Sequence, residues 1–159
     1  MKKTITREVA VILGDIMAKM KYSHISEEMV EDVMNNFFEF NRVAVHCNSM
    51  TDELRKRLFD GVDEAAIKEY SEASTKMNAE ELEKAFPAIY PLAVKFNKVY
   101  ASIHNKEVEV ELTEIDKTEF VKGVMKGTPN ITASILDNFG IMYKQATEED
   151  FSELDELLK

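Results

Sequence analysis

The sequence predicts a mainly α fold: one long antiparallel helical hairpin packed with shorter helices, plus a small two-stranded β element. Three observations predict it. Between Ile25 and Phe59 there is no Gly and no Pro, and Ile25, Met29, Val33, Phe37, Phe40, Ala44 and Cys47 step by four and three, followed by Leu54 and Leu58 after a weaker patch at Met50 and Thr51. That spacing lays one narrow apolar stripe along a single long helix. Leu82, Phe86, Ile89, Ala93, Phe96, Tyr100 and Ile103 repeat the step, so a second helical segment carries a matching stripe and the two arms, about 26–60 and 79–104, can pair as a hairpin. Finally, residues 107–112 read EVEVEL, with Val108, Val110 and Leu112 on one face and three glutamates on the other, the period-two pattern of a strand.

Taken in order, MKKTIT at the start suits a short strand, about residues 2–6, whose lysines face the glutamates of 107–112 if the two pair. The other candidate partner is the same strand of a second subunit. Thr6 is placed to cap a helix from Arg7 to about Lys21 with Val9, Ile12, Leu13, Ile16, Met17 and Met20 on one face. Gly14 weakens that helix slightly and allows close approach of a neighbour. Tyr22–Ile25 is a break, and Ser26 followed by Glu27 and Glu28 starts the long helix, which Gly61 ends after Arg55, Lys56 and Arg57. The segment between Val62 and Met77 is a short, partly exposed helix at the hairpin tip.

Asn78 and Glu81 have capping-box spacing and open the second arm. Pro87 and Pro91 each remove a backbone donor. Because the stripe continues in phase through both, a kinked helix is expected there. In the C-terminal helical part, about 116–159, Asp116 and Glu119 cap a helix bearing Phe120, Val121, Val124 and Met125, and Gly127-Thr128-Pro129 breaks it. Asn130 then starts another helix with Ile131, Ile135, Leu136, Phe139 and Met142 inward. Thr147 and Asp150 are placed to cap a last acidic helix, whose Phe151, Leu154, Leu157 and Leu158 share one side.

A chain of 159 residues has the size of a single domain. With 45% hydrophobic and 31% charged residues it is compositionally neither disordered nor membrane-embedded. Thirty acidic residues against twenty basic ones give a net charge of −10, a mean field that repels phosphate backbones and argues against direct nucleic-acid binding. Two explanations of that acidity stay open: an ordinary solvated surface, or a surface that imitates DNA. The single Cys47 cannot form an internal disulfide and sits on the apolar stripe, where a buried thiol acts as a small hydrophobe. With no apolar run long enough to span a membrane, a cytoplasmic protein is expected.

No phosphate-loop, hydrolase-elbow or dinucleotide motif occurs, so no catalytic residue and no cofactor is assigned. His24, His46 and His104 are scattered. Arg42 and His46 lie one turn apart on the long helix, as an exposed pair on its flank. The one metal-like pattern is Glu27, Glu28 and Glu31, an E-E-x-x-E cluster resembling that of all-α nucleotide pyrophosphohydrolases, which hold Mg²⁺ with a further carboxylate pair. Asp60 and Asp63 are the best available second pair. The helix dipole alone also favours acids in a first turn.

The segments ITREVAVILGDIMAKMKYSHISEEMVEDVMNNFFEFNRV, with Asn36 on the long helix, and NKEVEVELTEIDKTEF cover about a third of the chain. In their order they resemble a group of small helical proteins of unknown function encoded by tailed phages and prophages. In this chain Ser23-His24-Ile25 stands where a Leu-Pro pair is usual, and the second arm is interrupted by proline. The group has no established catalytic residues to carry over. The resulting expectation is a non-enzymatic, phage- or mobile-element-encoded interaction protein that binds a protein partner or a second copy of itself. Its surface would comprise the outer face of the long helix with Asp32, Glu39 and Arg42, or the tip with Asp60, Asp63 and Tyr70. The alternatives are an acidic inhibitor of a host DNA-binding or nuclease protein, and a Mg²⁺-dependent pyrophosphohydrolase.

Overall fold

A computed structural model describes residues 1–145 and 148–159, with the side chains of 148–150 excluded. The fold is mainly α, as the sequence predicts: a 32-residue helix α2 (Glu27–Leu58) is the axis on which the other elements are laid. Ser26 caps it, its hydroxyl accepting the amide of Met29 at 3.2 Å. Beyond its other end Gly61 takes a left-handed backbone (φ 75°) that only glycine adopts at little cost. Met29, Val33, Phe40, Ala44 and Cys47 of the stripe are buried, and Phe37, Leu54 and Leu58 are half-buried.

At about 1.5 Å per residue α2 is roughly 48 Å long, and two shorter helices laid end to end cover it. Helix α1 (Arg7–Ala18) runs antiparallel along its N-terminal half, where a Cβ on Gly14 would sit 3.6 Å from the Cβ of Phe40. Helix α5 (Tyr90–His104) runs antiparallel along its C-terminal half, with Phe96 beside Phe59 and His104 beside Thr51. The end of α5 meets the start of α1 where the His104 imidazole contacts the Glu8 carboxylate.

The second arm is not one kinked helix. The tip helix α3 (Glu64–Ala73) is capped by Asp63 and buries nothing completely, and α4 (Ala79–Ala85) is capped by Asn78. Helix α4 stops before Phe86–Ile89, and α5 starts afresh with Pro91 in its first turn. Pro87 lacks the amide needed to carry the helix across, whereas a proline in a first turn removes only a donor that had no partner. The apolar phase survives because Leu82, Ile89, Ala93 and Ile103 all still face inward.

Strands β1 (Lys2–Thr6) and β2 (Glu107–Glu111) pair antiparallel within the chain, Lys2 opposite Glu111 and Thr6 opposite Glu107. The lysine-to-glutamate pairing appears as Lys2 Nζ to Glu109 Oε1 at 3.7 Å. Helix α6 (Lys117–Gly127), capped by Asp116, clamps the α1–α2 connection: the Lys21 amide donates to Thr128 Oγ1 at 2.8 Å and the Ser26 amide to Glu119 Oε1 at 3.3 Å. The next helix starts two residues later than expected. Asn130 sits in a left-handed turn (φ 67°), and the hydroxyl of Thr132 caps α7 (Ala133–Leu136), which a 3-10 turn extends to Met142. Leu136, Phe139 and Met142 join Leu13, Met17, Val33, Phe40, Phe120 and Val124 in the main core, around the N-terminal half of α2.

The last helix, α8 (Glu148–Leu157), leaves Phe151, Leu154 and Leu157 exposed, as is Leu158 just after it; of the expected cap, Thr147 and the side chain of Asp150 lie outside what the structure describes. No helix among the described residues is long and apolar enough to cross a membrane.

Candidate functional site

Because Pro87 separates α4 from α5, the tip does not close into a two-helix contact. The C-terminal end of α2 and helices α3, α4 and α5 instead surround an open cavity of about 500 Å³. Its wall is apolar and aromatic, with Phe59, Ile67, Tyr70, Leu82, Ile89 and Phe96, while Arg55, Ser71, Ser74 and Asn97 supply polar groups. The aromatic groups hold one another. Tyr70 meets Phe86 edge-on at 5.3 Å, Phe96 lies 6.1 Å from Phe59, and the Arg55 guanidinium stands 5.5 Å from the Phe96 ring centre. Burial, with a smaller contribution from Tyr90, pushes the Tyr70 hydroxyl above its ordinary pKa, so it is a neutral hydrogen-bonding group at physiological pH.

A ladder of rings runs down α5 from this cavity. Phe96 contacts Tyr100 at 5.8 Å, and Tyr100 stacks on His104 at 3.8 Å. His104 is 5% exposed, with Nδ1 against Glu8 and Nε2 3.3 Å from Thr51 Oγ1. Each ring nitrogen therefore has a polar partner, and the Thr51 hydroxyl also donates to the Cys47 carbonyl at 3.0 Å. Burial raises the Cys47 thiol pKa, against a smaller lowering by Arg7; the thiol is buried and protonated, a packing group rather than a nucleophile.

Of the candidate interaction and metal residues named from sequence, only Tyr70 lines the tip cavity. Asp63 is occupied in capping α3, its carboxylate accepting the Ala65 amide at 3.1 Å, and Asp60 is exposed at the α2 terminus. Glu39 and Arg42 pair on the flank of α2 at 3.2 Å, and Glu39 also accepts the Glu111 amide at 2.9 Å. That amide, with Arg42 adding to it, holds the Glu39 carboxyl below its ordinary pKa.

The folded pKa of Glu39 thus lies below the unfolded value of about 4.3. Its stabilisation is fully present above that value and is lost as pH falls through the folded pKa. Glu39→Gln is expected to flatten the acid limb of stability below about pH 4, as measured by urea unfolding across pH.

Glu27, Glu28 and Glu31 lie exposed in the first turns of α2. Glu28 and Asp32 instead share a shallow cavity of about 160 Å³ with Glu114, Asp116 and Glu119. Asp60 and Asp63 sit beyond the opposite end of the same 32-residue helix, roughly 48 Å away. The four-carboxylate Mg²⁺ arrangement therefore fails on distance. Among the described residues no group of three or more His, Cys, Asp or Glu side chains converges as a ligand set.

Two polar positions escaped the sequence reading of chemistry. Asn36 is fully buried and pairs with the backbone of Thr113, and Arg7 is buried where α1 begins. A signal for Asn36 existed, since an amide on the buried side of an apolar stripe needs a partner; Arg7 gave none. No family model matches this chain, and neither a curated protein nor a solved structure does.

Proposed function

We propose that this chain is a non-enzymatic helical interaction module whose hairpin tip takes up apolar side chains from a helical segment of a partner protein. The observation that carries this reading is the open aromatic cavity between α2, α3, α4 and α5. Helix α3 buries none of its residues completely, so the apolar side chains it does carry at the tip are only partly used by the fold. A volume of about 500 Å³ suits one or two large side chains, the anchors by which an amphipathic helix binds a groove. Arg55 at the wall favours an acidic residue next to those anchors. A net charge of −10 supports a protein partner over nucleic acid. A phage or mobile-element origin belongs to the same proposal and rests on the resemblance of residues 5–43 and 105–120.

Ser71→Trp tests it, because Ser71 is an exposed residue lining the cavity and a large ring there fills the space without entering the core. A displayed library of amphipathic peptides is panned on the wild type, and the selected peptides are titrated against both proteins. Selected peptides are expected to share a large apolar anchor and to lose about tenfold or more in affinity for Ser71→Trp, with the melting temperature unchanged. Peptides that bind both proteins equally would overturn the assignment of the cavity. In sedimentation equilibrium, a wild-type dimer that Ser71→Trp dissociates would replace the partner protein with a second copy.

A further inference from the structure

Arg7 is a cation without a counter-charge. It is 9% exposed, and the one hydrogen bond its guanidinium makes is a long one, from Nη1 to the carbonyl of Ile103 at 3.4 Å. Its Nε is buried with no hydrogen-bond partner. No carboxylate among the described residues forms an ion pair with it, and Glu8, the acid next to it in the chain, is taken by His104. A buried guanidinium normally finds an acid, since an unpaired buried charge is costly.

The space beside it is where an acid is missing. A cavity of about 350 Å³ opens there, lined by Arg7, Arg42, Val43, His46 and Val108. Two cations and an imidazole face it, and no acidic side chain among the described residues lines it. Arg42 is oriented from outside by Glu39, whose Oε2 accepts from Arg42 Nη2 at 3.2 Å. In a chain with ten excess negative charges, this is a local reversal of sign built on three elements: the start of α1, the middle of α2 and strand β2.

We propose that Arg7, Arg42 and His46 bind a phosphate group, either as free phosphate or as the phosphate of a small monoester. Guanidinium forks match the oxygens of a tetrahedral oxyanion with paired N–H donors, and charge assistance strengthens each bond. The anion supplies the counter-charge that the Arg7 guanidinium lacks. Val43 and Val108 exclude water from the inner side, which strengthens the attraction.

The test is titration of isotope-labelled protein with inorganic phosphate, a nucleoside monophosphate and acetate at constant ionic strength. The Arg7 Nε–H resonance belongs to a side chain that lines the site and reports on a change in its guanidinium. Phosphate is expected to move that resonance saturably and to raise the melting temperature, with acetate binding more weakly. Arg42→Gln and His46→Gln replace exposed residues and leave the core intact; each is expected to weaken phosphate binding about tenfold. Tighter binding of the monophosphate than of free phosphate identifies a phosphate ester as the natural source, and equal binding identifies the free ion. Equal, non-saturating shifts with phosphate and acetate would overturn the proposal. So would an unchanged phosphate affinity in the Arg42→Gln, His46→Gln double variant.

Discussion

Replacing Asn36 by alanine is expected to cost about 3–5 kcal/mol of stability. Its side-chain amide stands fully buried inside the main core. It donates from Nδ2 to the Thr113 carbonyl at 2.9 Å and accepts the Thr113 amide on Oδ1 at 2.7 Å. Thr113 lies two residues past the last residue of β2, where the two-stranded ladder has ended. The helix side chain therefore takes the place of a third strand for one residue.

Truncation orphans both backbone groups at about 1–3 kcal/mol each and leaves a void beside them. For a domain of this size about 3 kcal/mol lowers the melting temperature by about 6–12 °C, a drop readily followed by circular dichroism. The Thr113 amide should also change from protected to rapidly exchanging. Asn36→Asp keeps the acceptor but turns an anionic oxygen toward the Thr113 carbonyl, so it should not rescue. A loss below about 1 kcal/mol in Asn36→Ala would mean that water substitutes for the amide.

Gly123→Ala is expected to destabilise by about 1–3 kcal/mol, against the usual gain of about 1 kcal/mol for alanine over glycine inside a helix. A Cβ at Gly123 would lie 2.2 Å from Ile25 Cγ2 and 2.7 Å from the His24 carbonyl oxygen. The side chain can swing aside, but the carbonyl belongs to the α1–α2 connection that α6 clamps through Thr128 and Glu119. Gly127, one turn on, faces the same connection, with the His24 ring 3.1 Å from where its Cβ would be. Gly14→Ala is the matched control. Its added Cβ meets Phe40 at an ordinary 3.6 Å, so it should stabilise by up to about 1 kcal/mol. Denaturant melts of the two variants should shift in opposite directions, and a stabilised Gly123→Ala would show that the connection yields freely.

These two sites show where sequence reasoning reached and where it stopped. The caps at Thr6, Ser26, Asn78 and Asp116 were legible because each is a bond between a side chain and an amide three residues ahead. Gly127 was read as a helix breaker, and Gly123 passed without notice, because neither reveals from local pattern what presses against it. The stripe of α2 was legible, but its covering was not. A second arm of matching period was expected to supply the whole length, whereas Pro87 ends α4 and α1 takes the half that α5 cannot reach. The tip cavity follows from the same break, and of its lining only Tyr70 had been marked from sequence as an interaction residue, the others having been read as packing or helix-end positions or not at all.

What the sequence determined by itself is the local order: the caps that start most of the helices, which face of each is apolar, and that residues 107–112 hold a strand complementary in charge to residues 2–6. Period, capping and turn chemistry act over a few residues and can be read along the chain. Only the tertiary structure decided which strand pairs with which, how α1 and α5 divide the long helix, and what Asn36, Arg7 and His104 touch. The bonds from Asn36 to Thr113, Arg7 to Ile103 and His104 to Glu8 join residues 77 to 96 positions apart, and no pattern within one segment encodes a partner at that distance. The candidate tip cavity and the unpaired charge of Arg7 both arise at such junctions, where burial, rather than residue type, sets the chemistry.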